Sequence, residues 1–237
     1  MVAGWGGVIC SVSLVDMRLL DLFCGAGGAS MGYSMAGFDI TGVDIKPQTR
    51  YPFEFVQADA LEYLVAHGKE LDIIHASPPC QAYSRIRKLV EACYGKRDYP
   101  ELIEPTRKML IETKLPYVIE NVPRAPIRPD IKLNGLMFGL RVLRERWFET
   151  NWFINCLQPP LPKKPRHKVT NSFNGISGFD HGADYISVCG NNFIVADARI
   201  AMGINWMTRN EIKEAIPPAY TKWIGDQIIQ WMIRKGE

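Results

Sequence analysis

The sequence predicts an α/β fold, a parallel sheet flanked by helices, and three observations carry that expectation. Short apolar runs ending in Gly, Asp or Pro alternate with longer segments of helical period over the first 150 residues. A glycine-rich stretch, Cys24-Gly25-Ala26-Gly27-Gly28, follows the first run, where a strand would turn into a helix. Hydrophobic residues make up 47% of the 237 positions and charged residues 22%, with no internal repeat or low-complexity tract, so a disordered or fibrous chain is excluded.

Taken in order, the apolar runs predict strands over Arg18–Phe23, Asp39–Asp44, Glu54–Gln57, Asp72–Ala76 and Pro116–Asn121. Helices fill the intervals at Ala29–Ala36, Leu61–His67 and Leu102–Lys114. After Thr150 the texture changes: Asn, Gly, Ser and Pro become frequent, and basic residues cluster between Lys163 and Lys168. Apolar residues return at helical spacing from Asp197, and Pro217-Pro218 opens a final helix carrying Ile224, Ile228 and Met232. The expected organisation is a tail at 1–17, a catalytic and cofactor-binding domain at 18–150, a short lobe at 151–198 and a returning segment at 199–237. Met17 directly precedes the first strand, so translation can also start there, which would make residues 1–16 an extra tail.

Composition narrows the setting. No apolar stretch reaches the roughly 18 residues that cross a bilayer, and Gly6–Val15 lacks the basic flank of a signal peptide, so a soluble, cytoplasmic protein is expected. Six cysteines show neither metal-ligand spacing nor the density of a disulfide scaffold, and the four histidines (67, 75, 167, 181) fall at no ligand spacing. No metal and reduced thiols are expected, in a monomer. The net charge of +3 permits a polyanionic partner without demanding one.

Four motifs could carry chemistry. In Asp21-Leu22-Phe23-Cys24-Gly25-Ala26-Gly27-Gly28, glycines let the backbone turn sharply and approach a ligand, and the following helix offers free amides. A nucleotide-like ligand fits there, with Asp44, 19 positions after Gly25, placed to accept from ribose hydroxyls and Asp59 from an exocyclic amine. In Ser77-Pro78-Pro79-Cys80-Gln81, two prolines stiffen a loop beyond the fourth strand and present Cys80 as a nucleophile, with Arg85, Arg87 and Lys88 near in sequence as an electropositive setting. Glu120-Asn121-Val122 ends the fifth strand, where burial would raise a carboxyl pKa and let it share a proton with a ring nitrogen. Arg144-Glu145-Arg146-Trp147-Phe148 alternates like a strand with both guanidinium groups on one face, one for a base oxygen and one for a phosphate or carboxylate.

In that order the four motifs resemble those of the cytosine-C5 DNA methyltransferase family, and the likeness resumes at Ala201–Trp206 and Ala215–Pro218. The resemblance implies a Rossmann-like S-adenosylmethionine methyltransferase sheet flanked by helices, with a small recognition lobe, and S-adenosylmethionine as cofactor. It implies cofactor contacts from Asp21, Phe23, Gly25, Gly27, Gly28, Asp44, Ile45, Asp59, Ala60 and Pro78. Cys80 would be the nucleophile, Glu120 would meet cytosine at N3 and its amine, Arg146 would hold O2, and Arg144 would share the catalytic site. Gln81, Ser84, Arg85, Arg87, Lys163, Lys164, Arg166 and Lys168 would contact nucleic acid. Two positions depart from the family's pattern: Val142 stands where glutamine is common, and Lys213-Glu214 where Gly-Asn usually precedes the last apolar segment. The 151–198 segment is also much shorter than the family's recognition region. The expected activity is methylation of cytosine C5 in DNA, single- or double-stranded. RNA or a free cytosine nucleotide remains an alternative substrate, and an inactive relative that binds cofactor and nucleic acid is the alternative outside enzymes.

Overall fold

A computed structural model describes residues 17–83, 92, 95, 98–152, 158–160, 185–190 and 193–236. Its centre is a seven-stranded sheet of β1 (Arg18–Leu22), β2 (Asp39–Asp44), β3 (Glu54–Gln57), β4 (Ile73–Ala76), β5 (Tyr117–Asn121), β6 (Ile131–Leu133) and β7 (Arg146–Thr150). The order across the sheet is β3-β2-β1-β4-β5-β7-β6. The first five strands of that order run parallel, while β7 is antiparallel to β5 and β6 to β7. The order reverses between β1 and β4, so the crevice beyond their carboxyl ends is where a ligand of such a sheet belongs.

Strands at the middle of a parallel sheet are covered on both faces, which is why their sequences read as continuous apolar runs. Leu19, Ile73 and Val118 point to one face and pack under α1 (Gly28–Ala36) and the last helix, with Tyr33, Ile224 and Ile228. Leu20, Leu22, Ile74 and Ile119 point to the other, under α2 (Ala60–His67) and α3 (Ile103–Thr113), with Leu64 and Leu110. A third cluster joins Val142, Ile186, Val188 and Phe193 to α4 (Val195–Met202) and α5 (Arg209–Ile212). The last helix, α6, spans Pro218–Gly236.

Gly32 explains how close α1 and α6 lie. A Cβ there would sit 2.1 Å from the Pro218 carbonyl and from Thr221 Oγ1, so no larger residue fits without separating the helices. Thr221 Oγ1 donates to the Ala29 carbonyl across this contact, at 2.8 Å.

All five expected strands and the three early helices are present, with small shifts of their ends. β1 stops at Leu22 because Phe23 takes a left-handed φ of 58°, which no strand tolerates. The expected strand through Arg144 starts only at Arg146, so its two arginines do not share a strand face. No helix among the described residues is long and apolar enough to cross a membrane. Most of the expected lobe, and the tail at 1–16, lie outside the described residues.

Candidate active site

The turn after β1 sets the site's floor. Phe23 and Gly25 both adopt positive φ, which reverses the chain within three residues and aims the Gly25 amide at Asp44. Gly25 N donates to Asp44 Oδ2 at 3.0 Å, and Lys46 N donates to Oδ1 at 2.9 Å. Two backbone amides therefore orient the carboxylate at the end of β2, and each oxygen keeps a lone pair for a ligand. Ser77 N bonds the Leu22 carbonyl at 3.1 Å, which carries the β1–β4 pairing into the Pro78-Pro79-Cys80 loop. Asn121 Nδ2 bonds the Pro78 carbonyl at 2.9 Å and pins that loop to β5.

These segments surround a cavity of about 580 Å³. Cys80, Glu120 and Arg146 line it together with Asp21, Phe23, Gly25, Gly28, Asp44, Ile45, Pro78 and Gln81. Arg146 Nε lies 2.9 Å from Glu120 Oε1, but out of line for a hydrogen bond, so this buried oxygen keeps an ionic neighbour and no hydrogen-bond partner. Burial raises the Glu120 pKa, opposed by Arg146, by the Ser77 side chain and by Arg144. Burial also raises the Cys80 thiol, helped by Glu120, while Arg146 and Arg144 pull it back. Burial pushes Asp21 up to about 7, against a hydrogen bond from Ser30, and its Oδ1 has no partner.

Other expected site residues are placed differently. Arg144 lies outside the cavity lining, and its guanidinium donates to the carbonyls of Ala215 (2.7 Å), Val188 (2.9 Å) and Lys213. It ties the 213–215 segment to the sheet, and its influence on Cys80 is through charge alone. Asp59 caps α2, with Oδ1 accepting from Leu61 N at 2.9 Å and Glu62 N at 3.1 Å; neither it, Ala60 nor Gly27 lines the cavity. Gly27 instead supplies the left-handed residue that starts α1. Ser84, Arg85, Arg87, Lys163, Lys164, Arg166 and Lys168 lie outside the described residues.

Sequence reasoning missed one wall. Asn210, Glu211, Lys213, Glu214 and Ile216 line the cavity opposite the glycine turn. Lys213-Glu214, a departure from the expected pattern, thus sits at the site, and Trp206 Nε1 bonds the Ala26 carbonyl at 2.8 Å to hold this wall against the turn. Val142, the other departure, is buried in the third apolar cluster, where a glutamine amide would need a partner. Among the described residues no group of three His, Cys, Asp or Glu could hold a metal ion.

A family model described as C-5 cytosine-specific DNA methylase matches residues 17–126. The Type II methyltransferase M.FnuDI of Fusobacterium nucleatum is 32% identical over 244 aligned positions, covering 86% of this chain and 70% of that protein. M.XorII of Xanthomonas oryzae pv. oryzae is 31% identical over 145, covering 54% of this chain and 30% of that one. The chain spans less than half the length of M.XorII, and 47% of M.AplI of Arthrospira platensis. In fold the chain is similar to a prophage-encoded E. coli protein described as a DNA modification methyltransferase (TM-score 0.66, 14% identity, 92% of this chain and 99% of that one). It is also similar to Spodoptera frugiperda DNMT2 (TM-score 0.58, 14% identity, 90% and 99%).

Proposed function

Because the chain belongs to the C-5 cytosine-specific DNA methylase family, we propose that it transfers a methyl group from S-adenosylmethionine to C5 of cytosine in DNA, through a covalent bond between Cys80 Sγ and C6. The observation that carries this reading is that Cys80, Glu120 and Arg146 share one cavity with Asp44 and the Phe23–Gly25 turn.

The residues present fit the cofactor. Asp44, oriented by two amides, would accept from ribose hydroxyls, and exposed Ile45 beside it offers an apolar face to the adenine. Asp21, with a buried oxygen free of partners, suits a cationic neighbour. When bound, S-adenosylmethionine supplies the electrophilic methyl group.

The protein's task is to make C5 nucleophilic. Cys80 Sγ bonds C6, the C5–C6 π pair moves to C5, and Glu120 supplies a proton to N3 so that the ring accommodates the added electrons. Arg146 holds O2 and offsets the charge that builds on the ring. Once C5 carries the methyl group, water takes the C5 proton, the C5–H pair re-forms the C5–C6 double bond and expels the Cys80 thiolate, and N3 returns its proton to Glu120. In a duplex the target carbon is stacked, so the base must swing out into the cavity. Gln81 at the rim, with Ser84, Arg85, Arg87 and the Lys163, Lys164, Arg166 and Lys168 row, would grip the backbone.

The test is incubation with methyl-labelled S-adenosylmethionine and, in parallel, duplex DNA, single-stranded DNA, tRNA and deoxycytidine monophosphate. Label at cytosine C5 of DNA, lost in Cys80→Ser, is expected. Label entering only tRNA or the nucleotide overturns the DNA assignment, and no label anywhere overturns the enzymatic one.

A further inference from the structure

Ser30 and Tyr51 lie outside the motifs that carry the family resemblance, yet both reach the cavity through Asp21. Asp21 is fully buried in β1 and lines the cavity. Its Oδ2 accepts from Ser30 Oγ on α1, and its Oδ1 has no partner. Ser30 is fully buried too, and its Oγ lies 2.7 Å from the hydroxyl of Tyr51, in the segment between β2 and β3. A gap in β2 seats that phenol: a Cβ on Gly42 would lie 2.2 Å from Tyr51 Cζ and from its hydroxyl oxygen. Tyr51 N donates to the Gln48 carbonyl at 3.0 Å, and Ile45, Lys46, Pro47 and Gln48 line the cavity. Tyr51 therefore connects one cavity wall to the carboxylate at the end of β1.

The direction of these bonds follows from counting protons. An ionised carboxylate only accepts, so the single Ser30 proton goes to Oδ2, and the second contact at Ser30 Oγ takes its proton from Tyr51. Each bond polarises the next, and both bear on Oδ2. Oδ1 is left shielded and unengaged, a costly state that a donor or a cation offsets. S-adenosylmethionine has two cationic groups, the sulfonium and the α-ammonium of its amino-acid end. Only the ammonium donates hydrogen bonds, so it is the group that would satisfy Oδ1, directly or across one water.

We propose that Ser30 and Tyr51 are positioning residues for the cofactor's amino-acid end: Tyr51 donates to Ser30, Ser30 to Asp21 Oδ2, and Asp21 is held ionised and oriented with Oδ1 kept for the α-ammonium. This deepens the methyl-transfer reading and rests on it.

Calorimetry with two analogues tests the network without turnover. S-adenosylhomocysteine keeps the α-ammonium and lacks the sulfonium charge, whereas 5′-methylthioadenosine keeps the nucleoside and sulfur and lacks the amino-acid end. Ser30→Ala should weaken S-adenosylhomocysteine binding by roughly 10–100-fold and Tyr51→Phe by roughly 2–10-fold, while both bind methylthioadenosine like the wild type. In a Ser30→Ala background, Tyr51→Phe should add nothing, because the phenol acts through the serine. Tyr51→Phe keeps the ring in its seat at Gly42, so it carries the two-ligand comparison even if Ser30→Ala fails to fold. In turnover, the variants should raise KM for S-adenosylmethionine and leave kcat near the wild-type value. Equal losses for the two ligands would make the hydroxyls merely structural and overturn the proposal, as would unchanged S-adenosylhomocysteine affinity in Tyr51→Phe or additive losses in the double variant. A wild type that binds neither analogue overturns the cofactor reading and this proposal together, whereas normal wild-type binding with any of the preceding results sinks the proposal alone.

Discussion

Arg144 and Ala215 stand 71 positions apart in sequence and are joined by a guanidinium-to-carbonyl hydrogen bond of 2.7 Å. Arg144 also reaches the Val188 and Lys213 carbonyls, and Tyr220 OH returns a bond to the Arg144 carbonyl at 2.8 Å. Each of the three carbonyls is met by a different guanidinium nitrogen, a spread that the single nitrogen of a lysine cannot span, so Arg144→Lys should lower stability by about 2–4 kcal/mol and weaken S-adenosylmethionine binding through the loosened 213–216 wall. Arg146→Lys, by contrast, should keep the melting temperature and lose rate on DNA. A normal melting curve for Arg144→Lys with methyl transfer abolished would return Arg144 to the chemistry.

Cys80 should alkylate slowly at neutral pH in the free protein, because burial holds its thiol above the ordinary range against the pull of Arg146 and Arg144. Peptide-resolved mass spectrometry after iodoacetamide treatment measures this for each cysteine. Arg146→Gln should slow Cys80 further by removing the cation with the larger pull on it. Faster alkylation in that variant would contradict the assigned electrostatics.

Asp44→Ala should weaken S-adenosylmethionine binding by about 1–3 kcal/mol, since ribose hydroxyls would lose their acceptor. It should also lower the melting temperature of the free protein, because the Gly25 and Lys46 amides lose theirs. Titration calorimetry and thermal melting separate the two effects, and unchanged affinity would move the cofactor elsewhere.

Asp21 and His75 give opposite pH dependences. Asp21, raised by burial to about 7, holds a proton in the folded state that the unfolded chain releases above pH 4, so its contribution falls as pH rises from about 4 to 7. His75, lowered to about 3, contributes stability above pH 6.5 that is lost as pH falls toward 3. Between pH 4 and 6.5 the two slopes offset each other. Asp21→Asn should therefore expose a stability that climbs with pH across that window, relative to wild type, by at most about 4 kcal/mol. Urea denaturation of both proteins at pH 4.5, 5.5 and 6.5 reads it, and parallel curves would show that Asp21 titrates normally.

The parts of this architecture visible in sequence are those where one local property decides the outcome. Runs such as Leu19 to Leu22 and Tyr117 to Ile119 are apolar because both sheet faces are covered, so the strands are legible one by one. β6 is three residues long and exists only through β7, which leaves no periodic signal. Arg144 reads like Arg146 from its spacing, and only tertiary contact turns one to carbonyls and the other to Glu120. The same holds for His75, whose partner Tyr33 lies 42 positions earlier, and for the 210–216 wall, which no residue type announces.

Gly32→Ala should cost about 2–4 kcal/mol, since its methyl group would meet the Pro218 carbonyl and Thr221 Oγ1 at 2.1 Å. The loss should appear equally with and without DNA, because the contact lies behind the sheet. A neutral result by chemical denaturation would mean that α1 and α6 can separate at no cost.

Those helix contacts also set a timetable. The Ala26 carbonyl waits for Trp206, and the Ala29 carbonyl for Thr221, residues that leave the ribosome 180 and 192 positions later. Until then Tyr33 and Ile40 lack the cover of Tyr220, Ile224 and Ile228, and the glycine turn lacks the pieces that hold it. Nascent chains halted before α6 should bind chaperones avidly and S-adenosylmethionine not at all, so a pocket whose glycine turn is made early becomes competent only once α6 has emerged.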